Sequence, residues 1–139
     1  MTAAAASGAA ALPVRHGERR WTEAELRTVR DQLAGEAAEL RSDIERAESD
    51  IASRLTDATG DAGDDQADTG AKTFEREHEL ALTQNARELL AQTEHALERI
   101  QAGTYGTCES CGEPIGKARL QAFPRAVLCV TCKQREERR

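Results

Sequence analysis

Apolar residues return at steps of three and four along Leu26, Val29, Leu33, Ala37, Leu40, Ile44, Ala47, Ile51 and Leu55. A stripe this narrow, sustained over more than four heptads, buries a seam between helices and leaves no thick core to fill. Its start is marked by a Thr-x-x-Glu box at 22–25. There the Thr22 hydroxyl is placed to accept from the N3 amide while Glu25 reaches back to the cap. Trp21 and Leu26 occupy the two positions of a hydrophobic staple. At 1.5 Å per residue a helix over 22–55 would run roughly 50 Å. A helix so long and so thinly apolar needs a partner along its length.

A second periodic segment supplies one. Phe74, Leu82, Ala86, Leu89, Leu90, Ala96, Leu97 and Ile100 form an apolar face, and Gly103 follows as a C-terminal stop. A short connection makes neighbouring helices antiparallel, so the expected object is a coiled-coil hairpin over residues 21–103 turning between Thr56 and Thr73. Heptads alone do not fix strand number, and a dimeric coiled coil or bundle remains the alternative. The aromatic set, Trp21, Phe74, Tyr105 and Phe123, is too small for a large globular core, and the 32% of charged residues suits exposed helix faces. The fold class expected is mainly α.

The turn falls in "GDAGDDQADTG", residues 60–70, within an acidic tip over about 57–72 that holds Asp57, Asp61, Asp64, Asp65 and Asp68. Read plainly, this is a solvated turn in which Asp68 or Thr69 caps the second helix. It is also the place where a hairpin carries an effector end.

Charge is uneven. Residues 1–102 hold 12 basic and 21 acidic side chains, net −9, and residues 103–139 hold 7 and 4, net +3. An acidic chain is poorly suited to wrapping DNA, where affinity comes from Lys and Arg on phosphates, so direct sequence-specific DNA binding is not expected. The sequence lacks an apolar run of membrane-spanning length. The Ala-rich start lacks a basic n-region and reads as a disordered tail over 1–20. A cytoplasmic location follows, where paired thiols favour metal over disulfide.

Those thiols are Cys108 and Cys111, then, after 17 intervening residues, Cys129 and Cys132. Two Cys-x-x-Cys turns can aim four thiolates at one ion and close a tetrahedral shell. One structural Zn²⁺ is the expected occupant, with a rubredoxin-like iron site as the alternative. It would stabilise residues 104–139, a segment too small to hold a core by itself, ending in a basic helix. A closed shell offers no position for substrate. No Walker loop, GxGxxG or His-Glu-x-x-His is present, and His16, His78 and His95 stand apart in sequence. No catalytic residue is expected, and an enzyme is not.

These parts together resemble the DksA/TraR family of bacterial transcription regulators. The most specific match is "YGTCESCGEPIGKARLQAFPRAVLCVTCK", residues 105–133, similar to the family's zinc finger; a second, "ADTGAKTFEREHELALTQN", residues 67–85, is similar to the helix-two entrance of a branch common in Gram-positive bacteria. With helix one, the resemblance covers roughly residues 22–139. It implies a non-enzymatic regulator that binds RNA polymerase and inserts the hairpin tip into the secondary channel, and a monomer is the expected state. The family's Asp-x-x-Asp-x-Ala tip motif falls on Asp65-Gln-Ala-Asp68-Thr-Gly70, with Gly in place of the final Ala. Arg119, Lys133 and Arg135 are the implied docking residues. Members that respond to ppGpp carry basic residues where this chain has Asn85, Glu88, Gln92 and Phe123, while Lys133 is kept. A polyphosphate needs several such donors, so alarmone action is expected to be weak or lost. Two other classes stay open: a zinc-ribbon DNA- or protein-binding module dimerising through its coiled coil, and a thiol/zinc stress sensor.

Overall fold

The computed structural model describes residues 8–58 and 66–138, with backbone alone at 57, 58 and 66–69. A 3₁₀ turn (Ala9–Ala11) precedes α1 (Glu23–Ala58), α2 (Gln66–Ala102), α3 (Lys117–Ala122) and α4 (Val130–Glu137). Among the described residues the β-type pairing is one isolated bridge, Thr107 with Pro114. The fold is mainly helical, with α1 and α2 packed as a hairpin. It divides into two compact units: residues up to 36 with those from 92 onward, and residues 37–91.

Helix α1 begins as its cap residues dictate. The Thr22 amide donates to Glu25 Oε1 at 2.9 Å and the Glu25 amide to Thr22 Oγ1 at 3.1 Å, completing the reciprocal box. Trp21 and Leu26 are both buried. Burial along α1 follows the expected stripe and thins outward: Leu26, Val29, Leu33, Ala37 and Ile44 are buried, Leu40, Ala47 and Ile51 half-buried, Leu55 exposed. Helix α2 stops at Gly103, whose φ of +79° only glycine adopts cheaply.

In the unit over 37–91 the helices run antiparallel. Arg54 pairs with Glu79 and Glu48 with Arg87, so numbers rise on one helix as they fall on the other. The apolar face expected on α2 is only partly the buried one. Phe74 and Leu82 are 72% and 56% exposed, and Thr83 is buried in the same stretch. Its hydroxyl donates to the Glu79 carbonyl at 2.9 Å, which satisfies it inside the helix and lets a polar residue sit where Leu82 was expected. The capping role expected of Asp68 or Thr69 is also corrected, since α2 begins at Gln66 and both lie inside its first turn.

The other unit has a continuous core. Leu26, Val29 and Leu33 of α1, Ala96 and Ile100 of α2, and Tyr105, Ile115 and Leu120 of the C-terminal segment share it with Ala9, Leu12 and Trp21. The N-terminal stretch, expected to be a disordered tail over 1–20, is from residue 8 onward a packed arm. Ala9 and Leu12 are buried, and the Ala9 amide donates to Glu23 Oε1 at 3.1 Å. Composition hid this because the anchors are a few small apolar residues among alanines. Residues 1–7 lie outside the described residues.

Candidate metal centre

Each Cys-x-x-Cys turn is set by backbone bonds. The Cys108 amide donates to the Glu113 carbonyl at 2.8 Å and the Gly112 amide to the Cys108 carbonyl at 3.0 Å, with Gly112 at a φ of +78°. The second turn opens α4, where the Cys132 amide donates to Cys129 Sγ at 3.5 Å. The Glu109 amide donates to the Val127 carbonyl at 2.9 Å and ties the two turns together. As a result all four sulfurs lie within 4.8 Å of one another, and Cys111 and Cys129 are 3.8 Å apart. A tetrahedral shell with Zn–S of about 2.3 Å has sulfur–sulfur edges of about 3.8 Å, so the donors fit a zinc ion. Cys108, Cys129 and Cys132 are buried and Cys111 is exposed.

The thiols do not ionise alike. Burial pushes Cys108 up, but hydrogen bonds from the backbone at Cys111, Cys129 and Ser110, with a side-chain bond from Cys111, outweigh it and hold the thiol at about 6. For Cys132 the Ser110 hydroxyl favours the thiolate. Bonding with Cys129, burial and the sulfurs of Cys111 and Cys108 override this and push it up to about 12. Cys108 forms a thiolate readily while Cys111 and Cys132 resist, as expected of crowded sulfurs that need a cation to share a site.

The knuckles are braced from α2 and α3. Arg99 donates to the Thr104 and Thr107 carbonyls at 2.8 and 2.6 Å, and Tyr105 donates its buried hydroxyl to the Pro124 carbonyl at 2.9 Å. His95, isolated in sequence, meets Glu109 at 2.5 Å. From the arm, Glu18 reaches the start of α3: the Lys117 and Ala118 amides donate to its carboxylate at 2.9 and 3.0 Å. Lys117 in turn pairs with Glu25 at 2.6 Å. Sequence reading missed Glu18 and His95, because their partners lie 99–100 and 14 residues away.

Of the other candidate residues, Lys133 and Arg135 are exposed on α4, with Lys133 Nζ 4.0 Å from Glu136. Arg119, on α3, donates from Nε to the Leu128 carbonyl at 3.2 Å and lies 5.7 Å from the Phe123 ring centre. Asp65 lies outside the described residues, and Asp68 is in the first turn of α2.

Residues 103–138 match the prokaryotic dksA/traR C4-type zinc finger. Over 119 residues the chain is 33% identical to the RNA polymerase-binding transcription factor DksA of Escherichia coli K12, covering 84% of this chain and 74% of that protein. The chain belongs to the DksA/TraR family. It is also 43% identical over 75 residues to the Caulobacter vibrioides protein of the same description, spanning about half of that relative's length, 53%. The solved structure of transcription factor DksA2 from Pseudomonas aeruginosa is similar with a TM-score of 0.66 at 35% identity, covering 84% of this chain and 85% of that one. Family and geometry agree on the metal: Cys108, Cys111, Cys129 and Cys132 hold one structural zinc ion. No helix among the described residues is long and apolar enough to cross a membrane.

Proposed function

We propose that this chain is a non-enzymatic, cytoplasmic transcription regulator that binds RNA polymerase as a monomer and inserts its hairpin tip into the secondary channel. Kinship over 119 residues with a factor described as RNA polymerase-binding carries the reading. The antiparallel pairing of α1 and α2 within residues 37–91 supports it. Lys133 and Arg135 supply the docking charge, and Arg119 joins them while holding Leu128 and Phe123. Asp65 and Asp68 act at the tip, where carboxylates compete for divalent metal or contact mobile polymerase elements. Gly70 is exposed with open space around its α-carbon, so an alanine there would fit sterically.

Alarmone action is weak on this reading. Asn85, Glu88, Gln92 and the exposed Phe123 give a polyphosphate none of the cationic donors it needs, and Lys133 stands without them. Direct DNA recognition is not required, consistent with a net charge of −6.

The test separates docking from tip action. Polymerase retention on the immobilised protein is measured beside in vitro transcription with the Asp65→Asn/Asp68→Asn variant. Binding should persist while the effect on transcription is lost. Wild-type activity from the variant would remove the tip from the mechanism, and absence of polymerase binding by the parent would remove the function itself.

A further inference from the structure

Beside the zinc sulfurs lies an open cleft whose charged and metal-binding lining is Arg15 of the arm, Cys111, Cys129 and Cys132, Arg135 of α4 and one carboxylate, Glu113. Arg15 lies near one carboxylate, that of Glu18, whose pKa its charge helps to lower. The place of Arg15 is built rather than incidental. Its amide donates to Glu18 Oε1 at 2.7 Å and its carbonyl accepts from the Glu18 amide at 3.0 Å, fixing a tight turn. Its aliphatic stem crosses Gly116, where an added Cβ would meet Arg15 Cδ at 3.0 Å and Cγ at 3.4 Å. One residue pair earlier, Pro13 lies 3.5 Å from the Cβ position of Gly106. Two finger glycines therefore seat the arm, and Arg15 lines the cleft beside the sulfurs.

Four thiolates around one divalent ion leave a net negative charge, which a small finger has little bulk to spread. Cys111, the exposed ligand, faces water where that charge is least shielded by protein. We infer that Arg15 and Arg135 form a cationic wall that balances the zinc-thiolate centre, so that the N-terminal arm is part of the metal site. Fixed charge outside the ligand shell tunes how tightly a metal is held. Guanidinium suits the position, because it stays charged at any working pH and is weakly hydrated. The volume of the cleft, about 580 Å³, would also admit a small anion, but the charge of the metal centre opposes one there.

Zinc affinity is the readout, measured by competition with a chromophoric chelator on the full chain. Arg15→Gln keeps the stem over Gly116 and removes the charge. Combined with Arg135→Gln it should weaken zinc binding by about 10-fold at low salt, within the range of outer-shell substitutions. The difference should shrink to less than about 3-fold near 1 M salt, where the screening length is about 3 Å. Arg15→Lys should retain the parent affinity, and circular dichroism of the zinc-loaded variants should match the parent. Unchanged affinity at low salt, a loss equal at both salts, or failure of Arg15→Lys to retain binding would each overturn the inference. So would inorganic phosphate that saturably slows zinc loss from the parent and not from Arg15→Gln, which would make the cleft an anion receptor.

Discussion

Glu18 takes three backbone amides on one carboxylate: those of Arg15, Lys117 and Ala118. The bond to Arg15 closes a local turn, and the other two cap α3, whose own N-cap residue Gly116 has no side chain to do so. Burial pushes its carboxyl up, but the hydrogen bonds from Ala118, Arg15 and Lys117, with the charge of Arg15, outweigh it and hold the group below its ordinary value of 4.5. A carboxyl lowered by folding stabilises the folded state fully above that ordinary value, and the contribution is lost as pH falls through the lowered one. Glu18→Gln should therefore cost about 1 kcal/mol at neutral pH, measured by denaturant unfolding. The gap from the parent should narrow as pH falls below 4.5 and through the lowered value. A gap that persists unchanged at pH 3 would assign the effect to shape instead of charge.

At the scale of elements, two polar residues sit in the hairpin where the heptad pattern asks for apolar ones. Thr83 and Thr93 are buried at 4% and 0% exposure, while Leu82 beside Thr83 faces out. The helical period determines which positions are buried, not which residue types fill them, so periodicity located α2 but misassigned part of its inner face. Thr83→Val removes a hydroxyl already bonded within the helix and replaces it with a methyl. It should stabilise the protein by about 0.5 kcal/mol and slow amide exchange in residues 79–87. Destabilisation, or faster exchange there, would show that the Thr83 hydroxyl has work beyond its own helix. The start of α1 was legible because a cap is local: Thr22 and Glu25 are three residues apart and bond as their sequence demands. The four cysteines were legible for the same reason, since each pair spans one turn. The arm was not. Its anchors, Ala9, Leu12 and Glu18, gain meaning only from partners on α1 and in the finger, and an alanine-rich stretch carries no periodic signal. The tetrapeptide Leu12-Pro13-Val14-Arg15, followed by Gly17 at a φ of +88°, was the trace available.

For the whole molecule, one shared core links what the sequence divides. Trp21, the single tryptophan, is 2% exposed and sits 6.1 Å from Tyr105, ring centre to ring centre. Around it the core takes Ala9 and Leu12 from the arm, Leu26 and Leu33 from α1, and Ile115, Leu120 and three of the four cysteines from the finger. The finger segment is too short to keep this packing without its metal, and zinc binding is in that sense part of its folding. Removing zinc leaves four crowded sulfurs without a cation and should release the finger, and with it the cover over Trp21. Chelation should thus shift Trp21 emission to the red and speed amide exchange in residues 8–20 and 103–138 more than in residues 37–58. Zinc added back should reverse both. If emission and exchange in residues 8–20 stay as they were after chelation, the arm and Trp21 are held by the hairpin alone and the core is not a shared one.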